Sequence, residues 1–331
     1  YEFYKQNFIK YFSIIYIMKL IIQIPCLNEE KTLPLVLKDI PKTIQGISSI
    51  ETVIIDDGST DKTRDVAKKY GATILQHNKN KGLGESFKTG LNYALKQNAD
   101  ILINTDGDNQ YPSSQIPKLI FAMRRTNADL VIGDRDTWRV EHFSPLKKLF
   151  QFFGSFVVRG LTQSKVEDTV SGFRAYNKEA MYHLHITTKF SYVLDSIMQL
   201  SKKNLKIVSV KIPTNKPTRK SRLFKNMFQH MQKSGVNILR LYAIYEPFKI
   251  FFISSVLFAI PGTLLIMRFL YYYAQGVGDG YVQSLIIASV MVITAVLLFV
   301  LGIIGELLKT NRMLIEETYT VVKRIENERR K

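Results

Sequence analysis

The chain has 331 residues, 46% of them hydrophobic and 11% aromatic, too apolar for a disordered polymer and enough for one large α/β domain with something smaller beside it. Lysine and arginine exceed aspartate and glutamate by 46 − 28 = 18 charges, a surplus that suits an anionic partner such as a phosphorylated ligand, a nucleic acid or an acidic membrane surface. A single cysteine, Cys26, excludes an intrachain disulfide framework and any multi-cysteine zinc site, so a cytosolic face is expected for the folded part.

Residues 1–17, YEFYKQNFIKYFSIIYI, are aromatic and basic, with too short an apolar run to span and no small-residue cleavage site. They read as an extension or a membrane-surface helix, and no chemistry is assigned to them. From residue 18 strand-like and helix-like patterns alternate. Strands are expected at 20–24, 51–56, 72–76, 100–106 and 129–133, with helical patterns in the gaps. Apolar runs flanked by helices predict a mostly parallel sheet covered on both faces, with ligand at the carboxyl ends of the strands. The polar residues at those ends are Cys26 to Glu30, Asp56 to Asp61, Asn78 to Gly84 and Asp106 to Gln110.

After the second strand comes DDGSTD, in which Gly58 can make a tight turn and Ser59 or Thr60 can cap a helix. Capping needs one aspartate; the adjacent pair Asp56 and Asp57 leaves a carboxylate for ribose hydroxyls or a base edge. Gly82-Leu83-Gly84 lacks full dinucleotide or P-loop spacing. After the fourth strand, Asp106-Gly107-Asp108-Asn109-Gln110 gathers two carboxylates and an amide oxygen, hard ligands suited to Mg²⁺ or Mn²⁺ on a diphosphate. It is not an EF-hand, because the sixth position is Tyr111 and the twelfth Pro117. A polar turn of capping aspartates is the structural alternative.

Further along, Leu146, Leu149, Phe150, Phe153, Phe156 and Val157 form one amphipathic stripe. Leu223, Phe224, Met227, Phe228, Met231, Ile238 and Leu239 form a second, interleaved with Lys and Arg, that suits a membrane surface. Residues 248–273 and 282–308 then each exceed the roughly 20 apolar residues that a bilayer crossing needs. Pro261 should kink the first, and Arg268 should snorkel beside Tyr271, Tyr272 and Tyr273. The connection AQGVGDGY carries Asp279 and no Lys or Arg, whereas the flanks are basic, from Arg219 to Lys249 and from Lys309 to Lys331. The positive-inside rule therefore puts both termini in the cytoplasm and the short loop outside.

Taken in order, IPCLNEE, DDGSTD, NKGLG and TDGDNQYP, then Gly133-Asp134-Arg135, Asp168, SGFRAY at 171–176 and RKSRLFK at 219–225, resemble the family 2 glycosyltransferases of the GT-A fold. With two membrane helices behind it, the chain is similar to the polyprenyl-phosphate group of that family, over about residues 18 to 310. The resemblance implies an α/β, Rossmann-like GT-A catalytic domain at 18–215, an amphipathic juxtamembrane region at 216–247, two transmembrane helices within 248–308 and a basic cytoplasmic tail at 309–331. It implies that Pro25, Asn28, Glu29, Asp57, Lys81 and Asp106 bind a nucleotide sugar, with Asp106, Asp108 and Gln110 at a Mg²⁺ or Mn²⁺ ion. Arg135, Ser171, Arg174, Arg219, Ser221 and Arg222 would surround the acceptor phosphate and the leaving diphosphate, with Asp106, Asp108, Arg135 and Arg219 the catalytic set. Asp168 reads as orienting an arginine, and Asp195 falls in a helical pattern; a structural ion pair is the alternative for each.

The implied reaction moves a sugar from UDP-glucose, GDP-mannose or a similar donor to undecaprenyl or dolichyl phosphate, with inversion. Partners would be the nucleotide sugar, the polyprenyl phosphate, the bilayer and further copies of the chain, as a tetramer in some relatives. Nucleic acid is not expected, since no module with aromatic platforms among basic residues occurs. The only tryptophan, Trp138, lies outside any Gln-x-x-Arg-Trp motif, and two spans cannot enclose a polysaccharide channel, so polymerisation is disfavoured. A transferase acting on a glycolipid hydroxyl, or a silent membrane scaffold with the same fold, are the rival readings.

Overall fold

The computed structural model describes residues 18–135, 168–186, 192–215 and 243–329, with isolated positions at 160, 166, 236 and 240. The extension at 1–17, Trp138, the stripe at 146–157 and the acceptor candidates Arg219, Ser221 and Arg222 lie outside the described residues. The described residues fall into two units, those up to 215 together with 320–329, and those from 236 to 319.

In the first unit seven strands form one sheet: β1 (Met18–Cys26), β2 (Ile47–Asp56), β3 (Thr73–Gln76), β4 (Ile101–Asn104), β5 (Leu130–Asp134), β6 (Arg174–Asn177) and β7 (Ile207–Lys211). Their order is β3-β2-β1-β4-β6-β5-β7, parallel except for β6, which runs antiparallel to β4 and β5. Successive strand residues face opposite sides, so β1 divides its apolar residues between two cores. Leu20, Ile22 and Ile24 pack with Leu33 and Val36 of α1 (Leu33–Asp39) and with Ile116 and Leu119 of α4 (Ile116–Thr126). Ile21 packs on the other face with Phe87 and Leu91 of α3 (Leu83–Lys96) and Ile197 of α6 (Tyr192–Lys202). Two shorter helices, α2 (Thr63–Lys69) and α5 (Lys178–His183), complete the covering layers.

The five strands expected from the sequence are present, with ends shifted by a few residues. β6 and β7 are additions. β6 is four residues of a motif whose side chains read as ligand contacts, and what makes it a strand is the slot between β4 and β5, a tertiary fact. Pro117 enters α4 within its first turn, where a missing N–H costs nothing, and Asn127 ends the helix in the left-handed region at φ 49°.

The second unit holds α7 (Pro247–Ala274) and most of α8 (Val282–Glu328). Both are long and apolar enough to cross a membrane, and only 11% and 17% of their most apolar windows are buried, too little for core helices of a soluble domain. Pro261 is accommodated without ending α7. Small residues let the helices approach: a side chain on Gly262 would meet Met291 and Val292, and Ser255 Oγ donates to the carbonyl of Ala295 at 2.8 Å. Arg268 lies 5.2 Å from the ring centre of Tyr281 and 6.0 Å from that of Tyr272, beside the tyrosine cluster.

The tail at 309–331 divides between the units. Its final turns belong with the catalytic unit, where Lys323 Nζ donates to the carbonyl of Leu184 at 2.9 Å and Asn327 Nδ2 to Tyr182 Oη at 2.7 Å. His185 Nε2 meets Thr320 Oγ1 at 2.9 Å, and Arg324 pairs with Glu179.

Candidate active site

The loops after β1, β2 and β3 are built as one piece. Asp56 turns the chain at the end of β2 by accepting from Ser59 N at 3.0 Å, and Gly58 adopts φ 85° where an added Cβ would sit 3.0 Å from Asn80 N. Asn28, at φ 56°, accepts from Thr60 N at 2.8 Å and donates its own N–H to Ser59 Oγ at 2.9 Å. Glu29 is buried, with Thr32 Oγ1 donating to its Oε2 at 2.8 Å and its N–H donating to Thr63 Oγ1 at 2.8 Å.

Asp57 is the knot. Its carboxylate takes the N–H groups of Lys81 and Gly82, each at 2.9 Å, and faces His77 Nδ1 at 2.7 Å. The expected spare carboxylate is therefore engaged in holding the third loop against the second. His77 went unnoticed in the sequence, because a lone histidine after a strand carries no spacing signal. The backbone of Lys81 serves Asp57, while its side chain is exposed at the rim. Pro25 lies within β1, half-buried.

Beyond β4 the acidic loop turns tightly. Asn109 stands at φ 60°, Asp108 Oδ1 accepts from Gln110 N at 3.0 Å, and Gly107 lies so near β1 that a Cβ there would be 2.8 Å from Cys26 Sγ. Asp106 is partly open to solvent yet surrounded by protein. Burial, and next the neighbouring Asp108, push its pKa up to about 7, with Glu29 adding and Arg135 and Arg174 opposing. A carboxyl that resists ionisation beside a second carboxylate fits a divalent cation, which removes the repulsion. Among the described residues no three His, Cys, Asp or Glu side chains gather as a metal cage. Asp106 and Asp108, with Gln110, are the residues that could hold such an ion, and a set so small would leave positions for water and phosphate oxygens.

Facing this loop is a second wall. Arg135 and Asp168 form a two-pronged ion pair, Nε to Oδ2 at 2.7 Å and Nη2 to Oδ1 at 2.9 Å, with both side chains at most 8% exposed. Asp168 is thus paired with an arginine, a geometry common to the orienting role and to a structural ion pair. The Arg135 guanidinium also lies 5.9 Å from the ring centre of Tyr111. Gly172 closes on Asp106: a Cβ there would sit 3.0 Å from Asp106 Oδ2. Its position is fixed by Tyr111 Oη, which accepts its N–H at 3.0 Å, and by Asn104 Nδ2, which donates to its carbonyl at 2.9 Å.

Arg174 departs from expectation. It is wholly buried and donates to the carbonyls of Ser171, Val193 and Thr169 and to Ser196 Oγ, at 2.7 to 3.0 Å. It staples the SGFR turn to α6, and the nitrogens that make these bonds are taken up inside the protein. Ser171 is buried too, its hydroxyl without a hydrogen-bond partner among the described residues. Asp195 lies buried in α6. The site thus brings together Asp106, Asp108, Gln110, Arg135 and Asp168, with Asn28, Glu29, Asp57 and Lys81 in the adjoining loops.

The family model for glycosyl transferase family 2 matches residues 21–184. Two uncharacterized proteins of Methanocaldococcus jannaschii are similar. One is 32% identical over 49% of this chain and 66% of its own length, just short of two thirds; the other is 30% identical over 56% of this chain and 83% of its own length. The undecaprenyl-phosphate mannosyltransferase of Micrococcus luteus is 26% identical over 59% of this chain and 83% of its length. Among solved structures, glucosyl-3-phosphoglycerate synthase of Mycobacterium tuberculosis, crystallised with Mn²⁺, UDP and glucosyl-3-phosphoglycerate, superposes with a TM-score of 0.53 at 18% identity, over 68% of this chain and 79% of that one. At that identity the likeness speaks to fold, the GT-A arrangement. Motif order, sheet topology and these matches converge on one conclusion: the chain is a glycosyltransferase and belongs to glycosyltransferase family 2.

Proposed function

We propose that the protein transfers a sugar from a nucleoside diphosphate to a membrane-held polyprenyl phosphate, with inversion at the anomeric carbon, in a metal-dependent reaction at the cytoplasmic face. The observation that carries this reading is the opposition of the Asp106–Gln110 loop to the Arg135–Asp168 pair, in a chain with two membrane-length helices. The similarity to the undecaprenyl-phosphate mannosyltransferase of Micrococcus luteus supports the acceptor class.

Asp106 and Asp108, with Gln110, would hold Mg²⁺ or Mn²⁺, which supplies positive charge to the diphosphate as it leaves. Asp168 takes the Nε–H and one Nη2–H of Arg135, which leaves the remaining N–H groups of the guanidinium for an anionic oxygen. Because both side chains are largely buried, that charge acts at low dielectric and its direction is fixed before the substrates arrive. Asn28, Glu29 and Asp57 shape the nucleotide side by holding their loops together. The sequence adds Arg219, Ser221 and Arg222 to the acceptor side.

The choice of a phosphate over a hydroxyl acceptor rests on Asp168. An alcohol needs a base poised to take its proton, whereas a phosphate is already anionic at neutral pH. Asp168, the described carboxylate on the acceptor wall, has both oxygens engaged by Arg135, which suits it to orientation and not to proton abstraction. The test is transfer from radiolabelled UDP-glucose, GDP-mannose and related donors to undecaprenyl or dolichyl phosphate, using the full chain in detergent. An acid-labile lipid monophosphosugar is expected, abolished by chelation and by Asp108→Ala. A product formed only on a glycolipid hydroxyl, or undiminished transfer by Asp108→Ala, would overturn the reading.

A further inference from the structure

The chain leaving β7 is stitched to both walls of the site before it enters the basic segment. Ile212 N donates to the carbonyl of Asp134, the neighbour of Arg135, at 2.8 Å. Lys118 Nζ donates to the carbonyl of Lys211 at 2.7 Å. Three residues after Ile212 the path crosses to the acidic loop. Asn215 N donates to the carbonyl of Gln110 at 3.0 Å, and Asn215 Nδ2 reaches both Asn109 O at 3.0 Å and Asn109 Oδ1 at 3.3 Å. A backbone carbonyl can only accept, so the atom facing it is the amide nitrogen, and one NH₂ group supplies a proton to each oxygen.

What this clamp holds is informative. Asn109 is the left-handed residue of the turn, with Asp108 before it and Gln110 after it. A left-handed residue in a half-buried turn is a shallow minimum even for asparagine. Three hydrogen bonds to one residue of another segment deepen it, and the orientation of the flanking side chains follows from the backbone they hang on.

We propose that Asn215 is a positioning residue, whose side-chain amide clamps Asn109 and thereby presents Asp108 and Gln110 to a metal-bound diphosphate. This rests on the function proposed above and names a residue that none of the recognised motifs contains.

The test is Mn²⁺ binding by the full chain in detergent, with UDP in one arm and GDP in the other, read from the paramagnetic resonance signal of free Mn²⁺. Asn215→Ala removes the amide, and Asn215→Asp keeps the shape while setting an acceptor against an acceptor. Losing hydrogen bonds of this kind should weaken nucleotide-dependent Mn²⁺ binding about three- to tenfold, with Asp the worse of the two. The donor KM should rise by a similar factor while the acceptor KM stays near wild type, and the metal-free melting midpoint should stay within about 4 °C of wild type. Variants that bind Mn²⁺ as wild type does, or that melt far lower with unchanged Mn²⁺ affinity in the folded fraction, overturn the proposal and leave the enzyme assignment intact. A wild-type chain that binds no Mn²⁺ with either nucleotide overturns the metal-dependent function itself.

Discussion

Asp106 is the residue where function costs stability. Its carboxyl is surrounded by protein and stands beside Asp108, and these two effects, burial first, raise its pKa from 3.8 to about 7. Because the folded-state value lies above the unfolded one, the stability linked to its proton is fully present below about pH 4 and is lost as the pH rises through 7. Without metal, then, the catalytic unit should weaken between those limits. Asp106→Asn removes the titration, so the variant should melt above wild type at pH 7.5 without divalent ions. Adding Mn²⁺ and nucleotide should raise the midpoint of wild type alone and shrink or reverse the gap, while turnover by the variant is lost. Thermal unfolding across pH with and without Mn²⁺ checks this; a variant that melts lower than wild type at pH 7.5 without metal would show that Asp106 is not under strain.

At the level of elements, the parallel strands were legible because Leu20 to Ile24, broken only by Gln23, and Val53 to Ile55 are runs of branched apolar residues, buried on both faces. The acidic loop was legible because the residues that do the chemistry are contiguous, Asp106 to Gln110. The opposite wall was not, because Asp168 and Arg135 meet across 33 positions, and spacing alone does not say which of two motif arginines pairs with Asp168. Arg135 follows the open end of β5, whereas Arg174 begins β6 and points into the layer beneath α6. The clamp at Asn215 escaped notice for a related reason, since nothing local marks an asparagine that bonds a loop 106 positions away. The difference between the two arginines can be measured. Arg174→Leu removes four buried hydrogen bonds, to the carbonyls of Ser171, Val193 and Thr169 and to Ser196 Oγ, each a loss of about 1 kcal/mol or more, so unfolding by urea should show a destabilisation of about 3 kcal/mol or more. Nucleotide affinity of the variant's folded fraction should stay near wild type. A variant as stable as wild type that has lost acceptor binding would restore Arg174 to the acceptor site.

Across the whole molecule, the tail constrains the topology. Thr320, Lys323, Arg324 and Asn327 lie in the same unit as the catalytic sheet, so that sheet and the end of α8 must share one side of any membrane that α8 crosses. The connection at 275–281 carries no Lys or Arg, and by the positive-inside rule the basic flanks would put the other ends in the cytoplasm, the topology that labelling can test. Cysteine labelling can test this cleanly, because the chain has one cysteine and it is buried. Burial, together with Glu29, Asp56 and Asp106, pushes the Cys26 thiol well above its usual pKa, so it remains the unreactive thiol form. Val277 in the connection and Val322 near the end of α8 are 54% and 50% exposed, and each tolerates a side chain of cysteine's size. In intact cells a membrane-impermeant maleimide should modify Val277→Cys and leave Val322→Cys untouched until the membrane is permeabilised, with the unsubstituted chain as the silent control. The reverse pattern would place the catalytic unit outside, away from any cytoplasmic pool of nucleotide sugar. Equal labelling at both positions before permeabilisation would mean that α8 does not cross the bilayer, and a membrane-held acceptor would then have to reach the site by some other anchor.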